Sequence, residues 1–196
     1  AEGSSPLKKA LWGVSERGPL AARTWEGVRF ERAVYISASL REVLRSGGAP
    51  VLDGVVSYQG VDRALFAGRP PRPVPRAAKL LFVGRLHETK ACDVAIDALA
   101  ELEDRDATLT VVGAGDQREA LERLARARKV AERVRFLGQV GRTELPELMR
   151  AHDVFVFPSR WAEPLGLTYL EAISCGLPVV ATPMGGAAEL LHHDDN

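Results

Sequence analysis

The chain has 196 residues, of which 46% are hydrophobic, and this is enough apolar material for a buried core. Lysine plus arginine and aspartate plus glutamate number 26 each, so no overall charge favours nucleic acid or an acidic membrane surface. No apolar run approaches the roughly 20 residues that cross a bilayer and no hydrophobic signal core is present, which predicts a soluble, cytoplasmic protein. Cys92 and Cys175 lack metal-ligand or redox spacing, and this favours small buried thiols in a reducing compartment.

The first third of the chain predicts one short strand–helix–strand unit followed by a connection. Residues 1–32 show no sustained periodicity. A strand is predicted over 33–37, a short helix over 40–45 and a second strand over 51–58, because apolar runs flank a helical segment that stops at two glycines. Residues 59–76 are rich in Gly, Pro and Arg, and since proline suits neither a helix interior nor a central strand, we interpret them as a linker.

After this linker, strands and helices alternate regularly. Short apolar runs separated by amphipathic segments indicate a parallel sheet with helices on both faces, so the sequence predicts the α/β class with a Rossmann-like sheet. Ligands of such sheets bind beyond the carboxyl ends of the strands, and the loops at those ends should share one rim. The predicted strands are 79–83, 108–112, 134–137, 154–157 and 178–181, and the predicted helices are 91–102, 117–131, 144–150, 167–174 and one that begins near Gly186. The rim loops begin at Gly84, Gly113, Gly138, Pro158 and Thr182.

The stretch 158–171 places two carboxylates around a strand-to-helix turn. Glu163 should lie in the loop, since Pro164 disfavours helical backbone before it, while Glu171 should lie one turn inside the helix. Both occur among apolar or small residues, where a carboxylate usually has a partner, and ribose hydroxyls would suit Glu171. Gly166 would let a ligand approach the backbone at the positive end of the helix.

Two cations follow the predicted strand 79–83. Arg85 and Lys90 stand at the start of a predicted helix, where a guanidinium can hold phosphate oxygens bidentately and an ammonium adds a compact charge. The helix N-terminus would add its own partial positive charge. The segment is therefore either a diphosphate site or a pair of solvated surface cations beside Glu88.

A Gly-x-Gly pattern follows the next predicted strand. Gly113 and Gly115 match the beginning of the dinucleotide fingerprint, but Arg118 stands where its third glycine is required. The pattern therefore predicts a tight strand-to-helix turn in which Asp116 caps the helix. The broken fingerprint also disfavours a dehydrogenase.

The remaining candidate motifs predict structural roles. The run 192–195, His-His-Asp-Asp, contains metal-ligand residue types, but adjacent residues seldom converge on one ion, so a surface or terminal role is predicted and no metal site is assigned. His87 and His152 are isolated histidines. Ser159 and Ser174 have no evident histidine and acid partners, and nucleophilic triad chemistry has no support.

In their order along the chain, these motifs resemble the carboxyl-terminal, donor-binding half of a GT-B glycosyltransferase of the large retaining family four. That group includes many bacterial mannosyl- and glucosyltransferases. The resemblance covers 36–196 and rests on the order of the motifs and their placement relative to the strands. The motifs are Gln59-Gly60-Val61-Asp62, Gly84-Arg85 with Lys90, Val112-Gly113-Ala114-Gly115, Val134-Arg-Phe-Leu-Gly138, Phe157-Pro158-Ser159, Glu163 and Glu171 as a Glu-x7-Glu element, Gly176-Leu-Pro-Val-Val180, and Gly185-Gly186 with Glu189.

The resemblance implies transfer of a sugar from a UDP-, GDP- or ADP-sugar donor to an unknown acceptor, with retention of configuration and with no required cofactor or metal. It implies that Arg85 and Lys90 bind the donor diphosphate and that Glu171 binds the ribose. Glu163 would support the transferred sugar, and the loop 138–140 would frame the base. The implied donor-binding residues are Gly84, Arg85, Lys90, Gly113, Gly138, Val140, Pro164, Leu165, Gly166, Leu167 and Glu171, and the implied catalytic residues are Glu163, Arg85 and Lys90.

The resemblance also implies an incomplete enzyme. Residues 1–58 match only the tail of the acceptor domain, 59–76 form the linker, and 77–196 form a donor domain that stops before the last helices of the family. Since GT-B catalysis needs both domains, this chain alone is predicted to be inactive, and the missing domain could supply peripheral membrane contact. Ala91 replaces the glycine usual after the lysine, which could narrow the approach of a phosphate.

Two other functions remain open at this point. The chain could be a nucleotide-sugar binding module without activity, or it could be part of a nucleotide-sugar epimerase of the same architecture. Activity after the missing parts are restored would exclude the binding module, and interconversion of free nucleotide sugars without an acceptor would favour the epimerase. The Glu-x7-Glu element argues against the epimerase.

Overall fold

The computed structural model describes residues 32–47, 49, 54–70 and 73–192. These residues belong to two units, Ala1–Gln59 and Gly60–Asn196. Within the described ranges, none of the helices has both the length and the apolar character needed to cross a membrane.

The first unit contains a pair of parallel strands. Strands β1 (Ala33–Tyr35) and β2 (Gly54–Val56) pair along their whole lengths. Helix α1 (Ala38–Ser46) lies between them in sequence, and it is capped because Ser37 Oγ accepts a hydrogen bond from the amide of Leu40 at 3.0 Å. The predicted order of strand, helix and strand is confirmed for these residues, whereas the predictions for 1–31 and for 51–53 lie outside the described residues.

The second unit alternates strands and helices as the apolar runs predict. Its strands are β3 (Lys79–Val83), β4 (Thr108–Val112), β5 (Val134–Gly138), β6 (Val154–Phe157) and β7 (Val179–Ala181). Its helices are α2 (Cys92–Glu101), α3 (Arg118–Ala127), α4 (Leu145–Ala151), α5 (Leu167–Ser174) and α6 (Ala187–Leu190). All five strands are parallel and form one sheet in the order β5-β4-β3-β6-β7, which confirms the predicted α/β, Rossmann-like class.

The strand order defines where a ligand site belongs. The chain runs from β3 outward to β4 and β5, then returns to place β6 on the other side of β3 and β7 beyond it. The direction of winding therefore reverses between β3 and β6. In open parallel sheets this reversal leaves a crevice at the carboxyl ends of the two strands, because their following loops turn to opposite faces.

Each face of this sheet carries its own apolar cluster. On β3, Phe82 packs in the cluster that contains Ile96 of α2, while the adjacent Leu81 packs in the cluster that contains Tyr169 of α5. Successive side chains of a strand point to opposite faces, so a strand that is apolar at every position is buried on both. This explains why β3, β6 and β7 appear in the sequence as mainly apolar runs rather than alternating ones.

Part of the segment 60–70 packs on the same cluster as α5. Phe66 is fully buried there, and its carbonyl accepts a hydrogen bond from Ser174 Oγ at 3.0 Å. Asp62 Oδ1 accepts hydrogen bonds from the amides of Ala64 and Leu65 and holds the turn that presents Phe66. This segment thus contributes to the core of the second unit.

Helix α3 ends four residues before the predicted end at 131. Lys129 has a left-handed φ of 59°, and its amide donates to the carbonyl of Arg126 at 3.0 Å. The amide of the buried Val130 donates to the carbonyl of Ala125 at 2.9 Å, which completes a Schellman motif. The sequence does not reveal this end, because the residue that adopts the left-handed conformation is lysine rather than the usual glycine.

We expect Lys129→Gly to raise the free energy of unfolding by about 1 kcal/mol, because glycine adopts the left-handed conformation without a steric cost. The side chain of Lys129 is exposed, so little packing is lost with it. Urea denaturation followed by circular dichroism measures the change. The matched control is Lys129→Ala, which keeps the steric cost and should give no gain; equal stabilisation by both variants would contradict the explanation.

Candidate active site

The loops that follow β3, β4 and β5 are joined by backbone hydrogen bonds at one rim. The amide of Gly84 donates to the carbonyl of Val112 at 3.0 Å, and the amide of Gly113 donates to the carbonyl of Gly138 at 2.7 Å. The loops after β6 and β7 lie at the same edge, since all five strands run in one direction. The predicted common rim is confirmed.

Two glycines after β4 allow their loop to contact the loop after β3. A Cβ atom on Gly113, whose φ is 136°, would lie 1.8 Å from the carbonyl oxygen of Gly84. A Cβ atom on Gly115 would lie 2.1 Å from the carbonyl oxygen of Leu86. Both distances are far below van der Waals contact, so the Gly-x-Gly pattern is needed for backbone packing at a tight turn, as predicted.

The predicted cap of the following helix is wrong. Helix α3 begins at Arg118, and Gln117 rather than Asp116 occupies the N-cap position without a side-chain hydrogen bond. The amide of Gln117 donates to the carbonyl of Leu86 at 3.0 Å. Backbone contact with the neighbouring loop therefore replaces the side-chain cap that the sequence suggests.

A cleft of ≈ 440 Å³ opens at the carboxyl ends of β3, β4 and β5. It brings together four of the predicted donor-binding residues from three separate loops. Arg85 is exposed there and supplies the positive charge, while Gln139 supplies a neutral polar side chain. The lining residues are Val83, Gly84, Arg85, Val112, Gly113, Ala114, Gln139 and Val140.

Lys90 and Glu163, which the sequence places 73 positions apart, form an ion pair beside the crevice between β3 and β6. Lys90 Nζ lies 2.6 Å from Glu163 Oε1, and both side chains are largely buried. Glu163 lies in the loop after β6, as the proline that follows it predicts. A predicted phosphate-binding cation and a predicted sugar-binding carboxylate are thus in direct contact.

The loop after β6 is held against the loop after β3 by several hydrogen bonds. The carbonyl of Thr89 accepts from the amide of Arg160 at 2.9 Å and from Ser159 Oγ at 3.1 Å. The guanidinium of Arg160 also binds both carboxylate oxygens of Asp93, at 2.8 and 2.6 Å, and this bonding lowers the pKa of Asp93. These contacts position Lys90 next to Glu163.

Lys90 is followed by an unusual backbone turn. A short 3₁₀ helix, Glu88–Lys90, precedes α2, and Ala91 between them is fully buried with a left-handed φ of 53°. Helix α2 therefore begins at Cys92 and not at 91 as predicted. The left-handed backbone at this position accounts for the glycine that is usual there in the family that the sequence resembles.

Two glycines after β7 allow the loop 163–166 to pack closely against them. The amide of Gly186 donates to the carbonyl of Glu163 at 2.8 Å. A Cβ atom on Gly185 would lie 2.3 Å from that same carbonyl oxygen, and one on Gly186 would lie 2.4 Å from the carbonyl oxygen of Pro164. The position of Glu163 thus depends on both glycines.

Gly166 is the N-cap residue of α5 and has a φ of 82°. Being glycine, it offers the helix no capping side chain. A Cβ atom there would lie 2.8 Å from Tyr169 Cε1 and 3.0 Å from Phe157 Cζ, so the glycine is required for packing as well as for conformation. Leu165 is buried, and Leu167 begins the helix. These residues can therefore offer a ligand mainly their backbone amides at the positive end of α5.

Glu171, one turn inside α5 as predicted, is 3% exposed and pairs with an arginine. Arg142 Nη1 donates to Glu171 Oε1 at 2.9 Å, and the guanidinium lies 5.2 Å from the ring centroid of Phe66. Burial raises the pKa of Glu171, while the charge and the hydrogen bond of Arg142 oppose this rise. Sequence reasoning missed Arg142; the one signal was that a carboxylate in apolar surroundings needs a partner.

Other polar residues that the sequence singled out stabilise the fold. His152 is buried, with its Nε2 2.9 Å from Thr110 Oγ1 and its Nδ1 2.6 Å from the carbonyl of Leu148, and burial lowers its pKa. The side chain of His87 accepts a hydrogen bond from the amide of Thr89 and caps the 3₁₀ helix. Both isolated histidines thus have the structural roles predicted for them.

The cysteines agree with their prediction as buried thiols. Cys92 and Cys175 are free and buried, and burial raises the pKa of Cys92 to about 12. Across the ranges that the structure describes, no group of three or more His, Cys, Asp or Glu side chains could hold a metal ion. Of the run 192–195, His192 is exposed and the other three residues lie outside the described residues.

A doubly wound parallel sheet with a cleft at the carboxyl ends of its strands is an architecture that many nucleotide-binding proteins share. The chain belongs to the family "Glycosyl transferases group 1", whose model matches residues 70–196. The structure of HepE from Anabaena in complex with UDP is similar, with a TM-score of 0.78 and 25% sequence identity over 91% of this chain and 52% of that one. These comparisons confirm the predicted GT-B type of fold and the predicted glycosyltransferase family.

Two named relatives from mycobacteria show how much of such a protein the chain spans. It is 36% identical over 182 residues to glycogen synthase of Mycobacterium tuberculosis, a match that covers 90% of this chain and 43% of that protein. It is 41% identical over 149 residues to the GDP-mannose-dependent alpha-(1-6)-phosphatidylinositol monomannoside mannosyltransferase of Mycolicibacterium smegmatis, covering 66% of this chain and 38% of that protein. The chain thus spans less than half of each relative.

Proposed function

We propose that this chain is the donor-binding part of a retaining glycosyltransferase that transfers a sugar from a nucleoside diphosphate to an acceptor. The observation that carries the proposal is the cleft at the ends of β3, β4 and β5, with the pair of Lys90 and Glu163 at the neighbouring point where the winding reverses. The membership of the chain in the glycosyltransferase family supports it. Since the chain spans less than half of its relatives, we expect transfer only from the full-length protein.

The arrangement suits the departure of a diphosphate. When the glycosidic bond of the donor breaks, negative charge grows on the leaving phosphate, and preorganised positive groups stabilise it. In our proposal Arg85 binds the diphosphate from the cleft, Lys90 binds it from the crevice, and the amides at the start of α5 face it. The loop of Gly138 and Val140 would frame the base.

Glu163 has an electrostatic and positioning role in this proposal. Its carboxylate lies 2.6 Å from the ammonium of Lys90, so the ion pair brings the sugar-binding and phosphate-binding groups together. Donor binding would draw Lys90 toward the phosphates and leave Glu163 to accept a hydrogen bond from a sugar hydroxyl. Glu171 would accept hydrogen bonds from the ribose.

Calorimetry can identify which base the donor nucleotide carries. The comparison structures of HepE contain UDP and UDP-glucose, whereas the mannosyltransferase relative is named for GDP-mannose. We therefore expect calorimetric titration of the full-length protein with UDP, GDP and ADP to show tight binding of one nucleotide. Weak and equal binding of all three would contradict donor recognition by this domain.

For the nucleotide that binds, Arg85→Ala and Glu171→Ala should each weaken binding by about tenfold or more, because each removes a charge-assisted hydrogen bond. The same titration measures the change. The matched control is Arg123→Ala on α3, which removes an exposed arginine paired with Glu119 and should leave affinity unchanged. Unchanged affinity in both site variants would overturn the assignment of the site.

A further inference from the structure

We propose that Arg142 is a positioning residue that holds the Glu171 carboxylate ionised and oriented to recognise a ribose. The inference rests on the proposed function, because it takes Glu171 as the group that binds the donor ribose. It goes further in assigning a role to a residue from a different loop, between β5 and α4, that neither the sequence motifs nor the cleft identifies.

The geometry gives the two carboxylate oxygens different surroundings. Arg142 Nη1 donates to Oε1 of Glu171 at 2.9 Å, while Oε2 accepts no hydrogen bond within the part of the chain that the structure describes. Packing of the guanidinium over the ring of Phe66, which is fully buried, limits the directions that the arginine can take. One oxygen is therefore fixed by the protein, and the other is left to accept from a ligand.

The ionised carboxylate is the form best suited to bind a ribose. Its 2′ and 3′ hydroxyls can donate to a carboxylate, which accepts at both oxygens, whereas a protonated carboxyl group places a donor on one of them. Burial of Glu171 on α5 favours the neutral form, and Arg142 is the charged neighbour that favours the ionised form. Cys175, the C-cap residue of α5, is a titratable neighbour of Glu171, while Glu147 and Arg150 of α4 act on Cys175.

The position of Arg142 also connects the carboxylate with the cleft. Val140, two residues earlier in the same loop, lines the cleft in which we place the base. The side chain of Arg142 is 61% exposed, whereas that of Glu171 is 4% exposed, so the arginine spans from solvent to a buried acid. The base of a nucleoside could thus contact Val140, while its ribose contacts Glu171, the acid that pairs with Arg142 of the same loop.

The opposite role for Arg142 would be to compete with the ligand for the Glu171 carboxylate. If Arg142 merely occupied the carboxylate until a ligand displaced it, removing the arginine would free Glu171 and strengthen nucleotide binding. If Arg142 positions the carboxylate, its removal weakens binding, and the loss grows as the pH falls. The sign of the change therefore separates the two roles.

The test compares Arg142→Gln, Arg142→Lys and the surface control Arg123→Gln in the full-length protein. ¹³C NMR of the side-chain carboxyl groups measures the pH midpoint of Glu171 without any ligand. The Glu171 signal is assigned by its absence in Glu171→Gln. Calorimetry between pH 5 and 8 follows recognition of the ribose. It uses whichever of UDP, GDP and ADP the protein binds, together with the 2′-deoxy form of that nucleotide.

We expect Arg142→Gln to move the midpoint of Glu171 to higher pH and to weaken nucleotide binding about tenfold at neutral pH. The preference of Arg142→Gln for the ribonucleotide over the deoxyribonucleotide should shrink. Arg142→Lys should keep the midpoint of Glu171 close to that of the unchanged protein, and Arg123→Gln should alter neither the midpoint nor the binding. An unmoved midpoint, or stronger binding by Arg142→Gln, would overturn the proposal. If Arg142→Gln moves the midpoint of Glu171 but the protein binds no nucleotide, the donor function and the ribose role of Glu171 are both refuted. Only the effect of Arg142 on the titration of Glu171 would then remain.

Discussion

Lys90→Ala is expected to slow sugar transfer by the full-length protein at least about a hundredfold and to lower the free energy of unfolding by about 2 kcal/mol. The first effect follows from the loss of a cation at the proposed diphosphate site. The second follows because Glu163, whose side chain is 9% exposed, would remain buried without its partner at 2.6 Å. Steady-state transfer assays and urea denaturation measure the two effects.

The double variant Lys90→Ala with Glu163→Ala separates these effects. Removing both charges should recover most of the lost stability, since no unpaired carboxylate is left, but transfer should stay as slow as in the single variant. Arg123→Ala, which breaks an exposed pair with Glu119 at 3.7 Å, should change stability by no more than about 0.5 kcal/mol. Recovery of transfer by the double variant would show that Lys90 acts only by neutralising Glu163.

Gly113→Ala is expected to lower the free energy of unfolding by about 3 kcal/mol and to weaken nucleotide binding in the same protein. A Cβ atom at this position would lie 1.8 Å from the carbonyl oxygen of Gly84 at a φ of 136°. Gly84 cannot move away without breaking the hydrogen bond from its amide to Val112 at 3.0 Å. The two loops would have to separate, and both line the cleft.

Gly138→Ala is the matched control for this prediction. Gly138 also has a positive φ, 74°, but a Cβ atom there would meet no atom within 4 Å. The variant should therefore show the conformational cost alone, about 1 kcal/mol. Urea denaturation compares the stability of the two variants, and calorimetric titration measures nucleotide binding by Gly113→Ala. Similar losses in the two variants would mean that backbone conformation, and not the contact with Gly84, makes Gly113 necessary.

Much of the architecture can be predicted from local patterns in the sequence. The predicted strands 79–83, 108–112 and 154–157 coincide with β3, β4 and β6, because strands buried on both faces are rich in apolar and β-branched residues. The errors fall where backbone contacts replace side-chain signals. Helix α3 is terminated by Lys129, which adopts the left-handed conformation usual for glycine. Its N-cap residue, Gln117, donates its amide to the neighbouring loop, whereas the sequence predicts a cap by Asp116.

The candidate site is predictable only in part. Glu163 and Glu171 stand out because carboxylates are rare among apolar residues, and their positions in a loop and in the first turns of a helix follow from Pro164. Their pairing with basic residues is not predictable. Lys90 is predicted as a phosphate-binding cation and Arg142 is not predicted at all, and nothing local relates either one to a glutamate far along the chain.

The sequence alone therefore establishes the order of the strands and helices along the chain and the rim on which the loops meet, and it nominates the candidate site residues. These properties depend on periodicity and on the residues next to each position. The pairing of Lys90 with Glu163 and of Arg142 with Glu171, and the need for glycine at Gly113, arise from the winding of the sheet around β3. That winding brings distant loops to one edge, so these contacts depend on distances between backbones that no local pattern encodes.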